Sequence, residues 1–164
     1  MMIRLFATLL GLLLVGLPAT AGAQSAKAEL KDAQGKVVGT AMLNAVSGGV
    51  KIALKASGLK TGDHGFHIHA VGKCEPPAFT SAGGHVNPGN KKHGKKNPEG
   101  AHAGDLPNLK VGGGGTGSID VTAGGMTLKD VAGLALVIHA DPDDEKTDPT
   151  GNSGARVACG VISK

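Results

Sequence analysis

Alternation of apolar and polar residues with a period of two limits most sharply what this chain can become. Val50, Ile52 and Leu54 alternate with Lys51, Ala53 and Lys55; Ile119 and Val121 flank Asp120; and Leu134, Leu136 and Ile138 alternate with Ala135, Val137 and His139. Successive side chains of a strand point to opposite faces, so these stretches read as strands, and helical periodicity does not recur. The intervals are rich in glycine, which turns a chain at little steric cost. Gly112 to Gly115 reads as a loose turn and not a phosphate cradle, because no helix pattern or Lys-Ser/Thr pair follows it. Short antiparallel strands joined this way make an all-β sandwich or barrel. Two stretches, roughly 71 to 109 and 140 to 154, lack the alternation. Loops of that length in a compact domain are functional or disordered, and these carry four candidate site residues, so they read as functional.

The first residues read as an address. Arg4 precedes the apolar run Leu5 to Leu17, and Ala21-Gly22-Ala23 is a small-residue cleavage site, with Ala19-Thr20-Ala21 as a second. Residues 1–23 are therefore expected to be a secretory signal peptide and 24–164 the mature domain, periplasmic or secreted. The run is shorter than the about 20 apolar residues of a membrane span, and no cysteine follows it for a lipid linkage, so no membrane attachment is expected after cleavage. Cys74 and Cys159, two cysteines in an exported chain, read as one disulfide. The loop it closes, about 85 residues, makes it worth roughly 4 to 5 kcal/mol in the chain-entropy model. That support matters because the whole chain has 28 glycines while the mature part has only two aromatics, Phe66 and Phe79.

The net charge of +4, or +3 once Arg4 is removed, selects no anionic partner. Lys91, Lys92, Lys95 and Lys96 read as a solvated loop, since no interleaved aromatics offer stacking; nucleic acid is not an expected partner.

The histidines sort by strand parity. In Gly65-Phe66-His67-Ile68-His69 the two histidines share one face, and Phe66 and Ile68 share the other, toward the core. His64, three residues before His67, leaves the opposite face and reads as structural. The remaining six, His67, His69, His85, His93, His102 and His139, together with Asp105, form a candidate two-metal set. Imidazole suits copper and zinc, whereas calcium or magnesium calls for oxygen ligands. With the cysteines paired no thiolate is left, so a histidine-only pocket for a redox metal beside a His/Asp pocket for zinc is expected.

On these residues the chain resembles the Cu/Zn superoxide dismutases from about Ala26 to Lys164. The resemblance is carried by Gly65 to His69 with Gly72 and Cys74, by Ser81-Ala82-Gly83-Gly84-His85-Val86-Asn87-Pro88, and by His93. His102-Ala103-Gly104-Asp105-Leu106, Val137-Ile138-His139 and the run Gly151 to Gly160 complete it. The resemblance implies an eight-stranded antiparallel Greek-key barrel or sandwich with two long functional loops, a family that general surveys of sandwich architectures already include. It implies copper on His67, His69, His85 and His139, and zinc on His85, His93, His102 and Asp105. It implies disproportionation of superoxide to O2 and H2O2, by alternate reduction and reoxidation of copper, with His85 as bridge and proton carrier. It further implies that Asp143 hydrogen-bonds the outer nitrogens of His67 and His93, that Arg156 guides the superoxide anion, and that Thr150 narrows the channel across from it.

The match has departures. Only 16 residues separate His139 from Arg156, a shorter loop than in the eukaryotic branch, and it carries five acids and Lys146. Pro76-Pro77 after Cys74 looks like the exported bacterial branch, whose subunit contacts differ, so a monomer and a homodimer both remain open. A metal carrier on the same fold would tend to lose copper ligands or the arginine, and this chain keeps both. A polyanion-binding module built on the lysine loop would leave the ligand set unexplained.

Overall fold

The computed structural model describes residues 25–164; the expected signal peptide lies outside the described residues. Nine strands form one antiparallel sheet: β1 (Ser25–Lys31), β2 (Val37–Val46), β3 (Gly49–Ser57), β4 (Gly62–His64), β5 (Phe66–His69), β6 (Leu109–Val111), β7 (Thr116–Gly124), β8 (Ala135–His139) and β9 (Arg156–Val161). A 3-10 turn at Thr80–Ala82 and one helical turn, α1 (Leu128–Val131), are the helical elements among the described residues. The helical turn falls between strands, where no period-two pattern runs.

The strand order is β4-β6-β7-β3-β2-β1-β9-β8-β5. Its two ends are one run of chain broken at Gly65, the first half pairing with β6 and the second with β8, so the sheet closes on itself. Counted as a single strand, that run restores the expected eight. The connections from β3 to β4 and from β7 to β8, which join strands that are not neighbours in the sheet, give the Greek-key character. The barrel expectation is met, and the extra strand is a consequence of the break.

The wall has two characters. In β1 and β3, and in β2 from Gly39 to Asn44, burial alternates residue by residue: Val50, Ile52, Leu54 and Ala56 point in while Lys51 and Lys55 point out. Strands β5 and β8 are buried along their whole length. Their inner faces, with Phe66, Ile68, Leu136 and Ile138, join the main core, each side chain adding about 1.5–3 kcal/mol by burial. Their outer faces lie under the two long loops. The period-two pattern of β8 is therefore real in direction, but both sides are covered, and Leu134 precedes the strand. Gly112 to Gly115 forms the turn between β6 and β7.

The disulfide forms, Cys74 to Cys159 with Cα atoms 5.6 Å apart. It sits in a small second cluster of Phe79, Ala82, Ala135 and Val137, so one of the two aromatics anchors the loop and not the barrel interior.

Candidate metal centre

The long loop reaches the outer face by adding itself to the exposed edge of β5. Ile68 N–H donates to Gly104 O (3.0 Å), Val86 N–H donates to Ile68 O (2.9 Å), and Gly104 N–H donates to Val86 O (2.9 Å). The resulting bridges set His85 beside His69 and Asp105 beside His67. Gly104 is needed there, because a Cβ would run into the Ile68 carbonyl. His139 comes from the end of β8, where the register shifts against β9. His93 and His102 lie in the loop, close to Asp105.

His67, His69, His93 and His139 each have one imidazole nitrogen engaged by an oxygen of the protein and the other turned inward. His67 Nε2 lies 2.7 Å from Asp143 Oδ2, His93 Nε2 2.9 Å from Asp143 Oδ1, and His69 Nδ1 2.9 Å from Gly83 O. His139 Nδ1 faces Gly154 O at 3.3 Å. An acceptor opposite a ring nitrogen fixes the N–H there and leaves the lone pair on the other. His67 Nδ1, His85 Nε2 and His93 Nδ1 are buried with no hydrogen-bond partner. Three orphaned buried nitrogens in one cluster are costly unless something accepts their lone pairs, and a metal ion does.

Two groups result. The candidate ligand atoms of His67, His69, His85 and His139 all lie within 4.8 Å of one another. In the second group Asp105 Oδ1 is 2.8 Å from His85 Nδ1, 3.1 Å from His93 Nδ1 and 3.2 Å from His102 Nδ1, while His102 Nδ1 is 3.4 Å from His85 Nδ1. Tetrahedral zinc with bonds of 2.0–2.1 Å has ligand-to-ligand edges of about 3.3 Å, so these separations fit that ion. His85 presents Nδ1 to one group and Nε2 to the other.

The protonation of the two groups differs. Burial pulls His69 down to about 2, aided by His85, Arg156 and His139, and pulls His139 down to about 3 with help from His67. Burial also takes His85 to about 4, against the Asp105 carboxylate. Burial works the same way on His93, but Asp105 and Asp143 on its two nitrogens outweigh it and raise it to about 9. The histidine contacts in turn hold Asp105 and Asp143 below the ordinary carboxylate range, overcoming burial.

Around this core, Asp143 is held from behind by Asn108, whose side chain accepts from Asp143 N and donates to Asp143 O, both at 2.8 Å. Gly151, at φ 65°, leaves the room in which Asp143 and His93 meet; a Cβ would collide with both. Arg156 donates from Nη1 to Phe79 O and from Nη2 to Gly83 O, each at 2.6 Å. Gly83 O thus receives both Arg156 and His69. Pro77, Ala78, Thr80, Gly154 and Ala155 line the shallow depression around the guanidinium. Thr150 is not among those residues; its carbonyl accepts from the Ser153 hydroxyl at 2.8 Å.

His64 stands apart from both groups, as its parity implies: its nitrogens lie 2.7 Å from His139 O and 2.7 Å from Lys60 O. Half of the lysine cluster is paired, Lys92 with Asp148 and Lys96 with Glu145. Asn108, Gly83 and Asp148 were not singled out as site residues in the sequence. Two act through their backbone or hold a backbone, which leaves no residue-type signal, and Asp148 is masked by the acids beside it.

Fold and site together define an all-β barrel with a buried histidine centre for two metals. A model of copper/zinc superoxide dismutase (SODC) matches residues 35–162. Cu-Zn superoxide dismutase 2 of Aquifex aeolicus is 49% identical over 146 residues, covering 84% of this chain and 85% of that one. The Cu-Zn superoxide dismutase of Deinococcus radiodurans is 38% identical over 174 residues, 94% of this chain and 95% of that one. Among solved structures, the Cu/Zn superoxide dismutase from Brucella abortus superposes with a TM-score of 0.76 at 34% identity, covering 85% of this chain and 100% of that chain. The chain belongs to the copper/zinc superoxide dismutase family, oxidoreductases that use copper and zinc.

Proposed function

We propose that this chain disproportionates superoxide at the strand-borne half of its histidine centre, with His67, His69, His85 and His139 holding copper and His85, His93, His102 and Asp105 holding zinc. The observation that carries this reading is His85, buried and common to both candidate groups, with Nδ1 against Asp105 and His102 and Nε2 buried without a partner. Copper, when bound, would supply the redox change, with one superoxide oxidised to O2 and a second reduced, with uptake of two protons, to H2O2.

The chain's own residues do the rest. His67, His69 and His139 offer lone pairs whose direction is set by Asp143 and by two backbone carbonyls. His85 Nε2 has no protein partner, so it is the atom at which this ring can hold a proton for peroxide formation. Asp143 joins the halves by accepting from His67 and His93 on separate oxygens. Arg156, a permanent cation tied to Phe79 O and Gly83 O, draws an anion to its guanidinium, which Gly83 O links to His69. The channel-narrowing role of Thr150 rests on the family resemblance.

Residues 1–23 act as a signal peptide in this reading, and the mature chain works in the periplasm or outside the cell. The disulfide supports an oxidising compartment, and no helix of the described residues is long and apolar enough to cross a membrane.

The test is the copper and zinc content of purified mature protein alongside superoxide consumption. One copper and one zinc per chain with high activity are expected. His85→Ala is expected to lose more than about 100-fold in activity, beyond the usual penalty for an outer partner, and to abolish metal-to-metal spectral coupling. Normal turnover with ordinary coupling in that variant would rule out the bridge.

A further inference from the structure

The loop between β8 and β9 carries five acids: Asp141, Asp143, Asp144, Glu145 and Asp148. Asp144 is turned back on its own loop, accepting from Lys146 N, Thr147 N, the Thr147 hydroxyl and the Asn152 amide. Glu145 pairs with Lys96 at the surface. Asp148, like Asp143, reaches histidines of the facing loop, in its case both His93 and His102. Its Oδ1 accepts the His93 N–H at 2.8 Å and lies 3.8 Å from His102 Nε2, while Oδ2 is 3.3 Å from Lys92 Nζ.

The position matters because of what the zinc ligands need behind them. A metal-binding imidazole ordinarily gives its second nitrogen to a carboxylate, carbonyl or water, which fixes its tautomer and orientation. His93 gives Nε2 to Asp143, and the second nitrogen of His85 belongs to the copper side. His102 Nε2 has no protein hydrogen-bond partner within reach, and the carboxylate facing it is Asp148. His102 is also the outermost of the three rings, with 8% of its side chain exposed against 0% for His93 and 1% for His85. The Asp148 carboxylate lies 3.8 Å from its outer nitrogen.

We propose that Asp148 is a positioning residue of the zinc site, the outer counterpart of Asp143, holding His93 through its main chain and His102 through its outer ring nitrogen. The proposal rests on the reading that His85, His93, His102 and Asp105 hold zinc. It ties zinc retention to the loop between β8 and β9 at a second point besides Asp143. Lys92 shares the carboxylate and restrains it from the solvent side.

The test uses the full mature protein with copper bound and either zinc or cobalt(II) in the second position, since cobalt's visible bands report its ligand geometry. Zinc affinity is measured by chelator competition in the wild type, Asp148→Ala, Asp148→Asn and Asp148→Glu. The expected result is a zinc affinity about 10-fold lower in Asp148→Ala, altered cobalt bands, and copper affinity within twofold of the wild type. Asp148→Asn can still accept from His93 N–H but offers His102 no charge, so it falls between the two, and Asp148→Glu recovers part of the loss. Unchanged zinc affinity and cobalt bands in Asp148→Ala would overturn the proposal, as would equal weakening of copper and zinc, which means general loosening of the loop. His93→Ala serves as the check on the underlying reading: if it leaves the cobalt bands intact, the zinc assignment fails and the proposal with it.

Discussion

The strand-borne histidines, His67, His69 and His139, and the loop-borne residues His93, His102 and Asp105 meet at His85 yet are held by different means. The first three stand on β5 and β8, whose inner faces lie in the main core with Phe66, Ile68, Leu136 and Ile138. Moving them means moving the barrel wall. The loop-borne three depend on polar contacts: Asp143 on His93, the His102 and Gly94 N–H groups on Asp105, and glycines where a side chain would collide. The halves differ in charge as well. Burial leaves His69 and His139 neutral at pH 7, whereas two carboxylates keep His93 protonated until about pH 9. A metal entering the second half must therefore displace a proton from His93, whereas His69 and His139 in the first half are already neutral.

The largest test of this contrast is Asp143→Asn, which weakens both contacts at once. Zinc affinity is expected to fall by about 100-fold, the upper end for an outer partner, and copper affinity by much less, because His67 stays on its strand. Equal losses measured by chelator competition would mean that the wall does not hold the strand half independently. Arg156→Glu separates the halves from the other side. Its guanidinium is bound to the carbonyl that orients His69, so the rate with superoxide should fall by roughly 30-fold while zinc content stays full. The wild-type rate should also fall with added salt, as attraction of an anion requires; a rate that climbs with salt would mean that the acidic loop dominates. The smallest effect is on pH. His93 has its folded value raised to about 9, so zinc binding must displace its proton below that value. Apparent zinc affinity is thus expected to rise by up to about tenfold per pH unit between 7 and 9, then level off. His69 and His139, already neutral, add no such dependence for copper over the same range. Titration calorimetry in buffers of different ionisation enthalpy would read the proton directly.

Much of this was open to reading from residue order alone, and for local reasons. Alternation in Val50 to Leu54 fixes which face of β3 is buried, and parity sends His67 and His69 to one side and His64 to the other, because side-chain direction along a strand depends only on position. Residue chemistry limits a cysteine-poor, histidine-rich set to metals such as copper and zinc. The ligand assignments and the roles of Asp143 and Arg156 came through family resemblance, not through pattern.

What the tertiary structure decided is where those residues meet. Period-two alternation cannot say that β8 is covered on both faces, since burial of the outer face comes from loops distant in sequence. It cannot show that the run 62–69 breaks at Gly65 to pair with β6 on one side and β8 on the other. Nor can it find Asn108 behind Asp143, Gly83 O between His69 and Arg156, or Asp148 against His93 N–H and His102. Those contacts use main-chain groups, which every residue carries, or a carboxylate indistinguishable in sequence from its neighbours. The sequence by itself determined which residues could bind metals; long-range pairing of a loop onto the edge of β5 decided how they gather, in two candidate groups that have His85 in common.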